Sequence, residues 1–336
     1  MRRRSSALIA TAVFAGTVAC GTTPPAAPPP SLPPAAEPAV APPTGQAPAG
    51  QVLRVGAAPE GIVADAVTGL VAVGLRDPDR LGLLEGATGK LVKTVPLPGH
   101  LRHLQLAAPG GPVLIPDENS DRLLVVDLPA GTVRSTVQTG MSPHDATRAA
   151  NGRLFAANEN GRSVAVVENG RVIHTFTDVT QPAGLAAVGN LVGLVDVRQN
   201  DLSVYDAATL TRVARLPAGA GPTHVVADRR GHFVVIDTRG NAVLTFDPAA
   251  SAHALARLPL PGTPYGVAYD TVRDRLWVTL TARNELVGID LSGAAPRVTT
   301  TLPTVRQPDT VAVDTASGGL FVTGTADGVV ERLASP

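Results

Sequence analysis

The sequence predicts an all-β protein: a seven-bladed β-propeller with four antiparallel strands per blade, closed by an N-terminal strand at 51–56 that completes the last blade. Two observations carry this expectation. A unit of about 40 residues recurs seven times, and each holds short runs rich in Val, Leu and Thr separated by Gly, Asp, Asn and Pro. A strand of the fourth type also stands alone ahead of the first unit.

Taken in chain order, Arg2, Arg3 and Arg4 precede the apolar run Ala7 to Ala19, the layout of a secretory signal. The run is too short to span a hydrocarbon core, which needs about 20 helical residues. Cys20 follows and is the only cysteine, so no disulfide can form within the chain. Val18-Ala19-Cys20 resembles the end of a bacterial lipoprotein signal, although Thr17 stands where leucine is commonest. That resemblance implies cleavage at residues 1–19 and acylation of the Cys20 thiol, and two or three acyl chains anchor firmly. An ordinary signal cut, with Cys20 incidental, is the alternative. Residues 20–50 carry the lipid-attachment cysteine and a stretch of Pro, Ala, Thr and Gly with one charge, Glu37. A disordered tether is expected there, because too little apolar area is available to offset ordering entropy. The chain is then an exported protein on the outer face of the cell membrane, and its Arg-rich, Lys-poor composition suggests a high-GC Gram-positive bacterium.

The body, 51–336, carries the repeat. Its units begin at Pro59, Leu101, Pro143, Pro182, Pro222, Pro264 and Pro308, at intervals of 42, 42, 39, 40, 42 and 44. Second runs such as "LFAANE" and "LWVTLT" follow, then third runs such as "SVAVVE" and "LVGID", then fourth runs such as "RVIHTF" and "RVTTTL". The seventh unit ends after its third run, and "GQVLRVGAAP" (Gly50 to Pro59) aligns with the fourth-type "GKLVKTVPLP". The orphan strand is expected to pair with the last blade and close the ring, which removes exposed sheet edges.

"LFAANENGRSVAVVENG", "LWVTLTARNELVGIDLSG" and "LFVTGTADGVVERL" resemble the YVTN-type β-propeller repeat, and the resemblance covers about residues 51 to 336. It implies that first strands line a central channel. It also implies that the loops from fourth to first and from second to third strands share one mouth.

Three polar columns fall near that mouth. After the unit's first residue come Glu60, Arg102, His144, Thr223, Tyr265 and Asp309; one position on are His103, Asp145, His224 and Thr310. At the end of the second strand stand Asp117, Glu159, Asp196, Asp237, Thr281 and Thr325. The candidate binding residues are His103, His144, Asp145, His224, Asp117, Glu159, Asp196 and Asp237. Histidines with carboxylates suit a divalent ion or acid–base work. Against this, Asp and Thr at strand ends commonly make turn hydrogen bonds. No nucleophile elbow, dinucleotide fingerprint or haem-attachment pair is present, and neither a cofactor nor a metal is assigned.

Charge narrows the partners. The sequence holds 28 basic and 28 acidic groups, and losing Arg2, Arg3 and Arg4 with the signal leaves it slightly acidic. With no basic run and 3% aromatic residues, a nucleic-acid surface is not expected. The leading expectation is a monomeric, lipid-anchored binding or scaffold module for a protein, glycan or small molecule at the channel mouth. The alternative is a lactonase-like hydrolase, metal-dependent or not, at the same place. Fold alone does not choose between them.

Overall fold

The computed structural model describes residues 32–248 and 254–335. The signal, Cys20 and the first part of the tether lie outside the described residues. From Pro33 on, the described residues form one compact unit holding 28 strands and no helix. The strands make seven four-stranded antiparallel sheets. The innermost strands are Ala57–Asp65, Gln105–Leu106, Pro143–Arg148, Pro182–Val188, Pro222–Ala227, Pro264–Asp270 and Pro308–Val313.

The ring closes as the sequence predicts. Gln51–Arg54 pairs antiparallel with Val329–Leu333, from Gln51 opposite Arg332 to Arg54 opposite Val329. The pairing stops two residues short of the expected 51–56, because Val55 turns into the core and Gly56 has φ of 143°. Buried Glu331 clamps the closure: it accepts from Gly50 N at 2.6 Å, Val305 N at 3.2 Å and the Thr304 hydroxyl. A Cβ at residue 50 would collide with the carbonyl of Arg332, so this close approach requires glycine.

Burial follows from each strand's place in its blade. Second and third strands lie between neighbouring blades and read as near-continuous apolar runs; Leu154–Asn158 and Ser163–Glu168 are almost wholly buried. Fourth strands face solvent, and Thr132–Gln138 buries only Val137 fully. Between blades three and four, Phe155, Phe176, Leu185, Leu194 and Tyr205 form one apolar layer.

The proline-rich segment departs from the expected tether. From Pro33 it lies on the ring as a strap across blades four to seven. Arg198 donates to Pro33 O at 2.8 Å, Arg239 to Pro34 O at 2.6 Å and Asn284 to Pro42 O at 2.9 Å. The Gln307 amide donates to Ala39 O at 3.0 Å and accepts from Ala41 N at 2.8 Å, as a neighbouring strand would. Ala36 and Ala41 are buried. Composition describes the segment alone; the ordering comes from donors on the ring that meet an extended backbone with free carbonyls.

Candidate functional site

In every blade but the second the innermost strand carries a bulge next to its first proline, and the bulge decides what enters the channel. The register slips between Pro143 and Asp145, between Pro182 and Leu185, and between Pro222 and His224. A bulge re-aims consecutive side chains, so more than one polar group per blade can face inward. Blade two has no such proline. Its inner strand shrinks to Gln105–Leu106, and Arg102 and His103 enter from irregular backbone.

Under the mouth, His144 sits between two carboxylates. Its Nδ1 is 3.1 Å from Glu118 Oε1 and 3.2 Å from Glu159 Oε2. The outer oxygens are held as well: Glu118 Oε2 lies 3.0 Å from His100 Nε2, and Glu159 Oε1 accepts from Gln181 at 2.8 Å. Burial alone would lower the His144 pKa, but its bonds to Glu118 and Glu159 outweigh burial and raise it to about 9. Burial likewise pushes Glu159 upward, and the His144 contact overcomes this to hold it at about 2. Beside them Arg102 bonds Glu60 at 3.2 Å and lies 3.7 Å from Glu37 of the strap.

Deeper in the channel the histidines are neutral. The His103 ring lies 4.6 Å from His144 and 4.7 Å from His224, centroid to centroid. Burial, then the charge of His144, depresses His224 to about 3 and moves His103 well down. A directed chain of hydrogen bonds sets their tautomers. Thr238 donates to Pro264 O at 2.7 Å, so its oxygen accepts from Thr223 at 2.6 Å. Thr223 then accepts from His224 Nδ1 at 3.0 Å, which leaves His224 Nε2 to accept from His103 Nε2 at 3.3 Å. Asp145 is buried nearby and accepts from Leu185 N at 2.8 Å, from Ala146 N at 2.8 Å and, on both oxygens, from Gln105 Nε2 at 3.0 Å. Burial pushes its pKa up to about 7 against these donors.

His103, His224, Asp145 and Gln105 line a cavity of about 490 Å³. Its walls are Ile62, Leu106, Leu185, Val225, Val267 and Val311, and it extends to Ala64, Arg148, Thr271 and Val313 at the far ends of the inner strands. The cavity therefore lies on the side away from the expected mouth.

The eight sequence candidates divide three ways. His103, Asp145 and His224 converge on the cavity, and His144 and Glu159 join Glu118. Asp117, Asp196 and Asp237 do not take part; they hold loops. Asp237 accepts from Gly221 N at 2.8 Å and Gly240 N at 3.0 Å, and Asp196 from Thr180 N at 2.6 Å and Gln199 N at 3.0 Å. Asp117 accepts from Gly99 N at 2.9 Å and Ser120 N at 3.1 Å. Gly219, at φ of 104°, leaves room for Asp237, where a Cβ would strike the carboxylate.

The second-strand column as read from sequence also mixes two positions. Asn158 pairs with Pro143 as Asp196 pairs with Pro182 and Asp237 with Pro222. Glu159 therefore stands one place further on, level with Glu118, which the sequence reading did not select. Aligning Asp117-Glu118-Asn119 on Asn158-Glu159-Asn160 would have revealed it.

No protein-family profile and no curated protein matches the chain. Solved structures do. A hydrazine synthase chain from Kuenenia stuttgartiensis is 15% identical with a TM-score of 0.72, over 82% of this chain and 95% of that one. A catalytically inactive variant of virginiamycin B lyase from Staphylococcus aureus, solved with quinupristin, is 15% identical with a TM-score of 0.70, over 84% and 98%. U3-55K is 14% identical with a TM-score of 0.71, over 81% and 90%. These proteins differ in what they do, and at such identity what this chain shares with them is the β-propeller fold.

Proposed function

We propose that this chain is an exported, lipid-anchored binding propeller that takes a small ligand into its central channel, with Cys20 as the acylated residue. The observation that carries the reading is the convergence of His103, His224, Asp145 and Gln105 on one end of a cavity with apolar walls. Such a cavity suits a ligand with an apolar body and one polar end. The strap across the opposite mouth favours a small molecule in the channel over a protein or glycan laid on that mouth.

The test is a thermal-shift and calorimetric screen with medium-chain alcohols, carboxylic acids and lactones. At least one class is expected to raise the melting temperature of the wild type and not of the His224→Leu/Asp145→Asn double variant. No shift with any class, or an equal shift in the variant, would refute it. Mass spectrometry of the mature product tests the anchor, which requires a diacylglyceryl group on an N-terminal Cys20.

A second reading, hydrolysis of a lactone, is favoured by the polarised His103–His224 pair beside the cavity. It requires turnover of a lactone probe that His103→Ala with His224→Ala abolishes.

A further inference from the structure

We propose that Glu118, His144 and Glu159 form a binding site for a divalent transition-metal ion, of the Zn²⁺ or Mn²⁺ class, beneath the mouth of the channel. The donor atoms His144 Nδ1, Glu118 Oε1 and Glu159 Oε2 come from adjacent blades. All the ligand atoms of the triad lie within 4.8 Å of one another, and the two His144 contacts are 3.1 and 3.2 Å. Ligands bound at about 2.0–2.2 Å on neighbouring corners of one ion stand roughly 3.0–3.5 Å apart, so these atoms need little movement. One imidazole nitrogen with two carboxylates suits zinc or manganese better than magnesium, which prefers oxygen and retains its waters.

Two further features separate this cluster from an ordinary ion pair. The outer oxygen of each glutamate is already oriented, by His100 at 3.0 Å and Gln181 at 2.8 Å, as in built metal sites. The acids also depart from the repeat. The matching positions in the other five blades are Arg76, Val197, Thr238, Thr281 and Thr325, so blade geometry does not call for glutamate here.

Charge points the same way. Two carboxylates and a neutral imidazole together carry two negative charges, which a divalent ion held by them brings to zero. The nearby Arg102 and Arg76 cations are matched by Glu60, at 3.2 and 2.6 Å, and by Glu37, 3.7 Å from Arg102. On binding, the N–H bond of His144 Nδ1 breaks, a nitrogen–metal bond forms, and the proton leaves to solvent. No electron moves.

None of the three ligands lines the apolar cavity, so either reading stands if the other fails. The experiment titrates the mature protein, stripped with chelator, with Zn²⁺ and Mn²⁺ by calorimetry, and with Co²⁺ by visible absorption. One ion per chain is expected, with Glu118→Gln and Glu159→Gln each weakening binding at least tenfold. Gln181→Ala, which keeps all three ligands, should weaken it by a smaller factor and covers the case in which a glutamine variant does not fold. Absence of binding by the wild type, or unchanged affinity in Gln181→Ala and in whichever glutamine variants fold, would overturn the proposal.

Discussion

Blade three and blade seven each place a carboxylate at the channel mouth, and the two carboxylates behave in opposite ways. Glu159 is held at about 2, whereas Asp309 is pushed up to about 6. Burial acts upward on both. Glu159 has His144 at 3.2 Å. Asp309 has a neutral donor, the Gln307 amide at 2.8 Å, with the charge of Glu60 adding to its cost. A nearby cation, rather than depth, therefore decides whether a mouth carboxylate stabilises the ring as an anion.

The sharpest way to break this contrast is to remove the cation. His144→Leu leaves Glu118 and Glu159 under cover without the cation that bonds them both, and losing one member of such a buried set costs about 3 kcal/mol. For a ring of this size that is a drop of roughly 5 °C in metal-free protein at pH 7.5. Glu159 would then resemble Asp309, and the loss should shrink at pH 4, where both glutamates take up protons. A melting series across that range checks it.

Next in size is Asp237→Ala. Here the carboxylate serves backbone donors instead of another side chain, and the loop amides of Gly221 and Gly240 lose their acceptor. Leaving them unsatisfied is expected to cost about 2 kcal/mol by denaturant unfolding. Affinity for any ion at Glu118, His144 and Glu159 should stay as it was, which separates loop-holding from site acids by measurement.

Asp309→Asn should act with the opposite sign. The folded pKa of about 6 lies above an ordinary aspartate's, so the fold binds a proton that the unfolded chain releases. The fold is favoured by this group at low pH, and that advantage is lost as pH rises through about 6. Removing the charge is expected to gain about 1 kcal/mol at pH 7.5 and nothing at pH 4. Chemical denaturation at the two pH values decides it, and an equal effect at both would show that Asp309 is not charged at a cost.

These contrasts also show what the sequence could and could not reveal. The repeat, the count of blades and the closing strand were legible because strand patterning and turn residues are local and recur seven times. His103, Asp145 and His224 were legible as departures from that repeat. Glu118 was not, because register in blade three rests on which residue faces Pro143, and a one-residue slip exchanges a loop-holding side chain for one in the cluster. For Asp117, Asp196 and Asp237 the turn hydrogen bonds were legible, to Ser120, Gln199 and Gly240 three residues on, whereas their bonds to Gly99, Thr180 and Gly221, 16 to 18 residues back, were not, because that return is set by tertiary geometry. The strap was hidden most completely, since its donors Arg198, Arg239, Asn284 and Gln307 lie far along the chain and share no motif.

The smallest expected effect concerns that strap, and it asks whether charge matters there as it does at Glu159. Glu37 is 63% exposed at its side chain and stands 3.7 Å from Arg102, which already bonds Glu60. Solvent screens such a pair, so Glu37→Gln should change stability by under about 0.5 kcal/mol. Gln307 holds the strap differently. Its amide spans Ala39 O and Ala41 N, replacing a strand's two backbone bonds with one neutral side chain. Gln307→Ala should speed hydrogen exchange at Ala41, which donates to Gln307 Oε1. Glu37→Gln should leave exchange unchanged there and at Ala39, whose amide is held by Thr281. If instead the glutamate variant released the strap, the mouth would be governed by charge throughout, and the distinction between its sectors would fall.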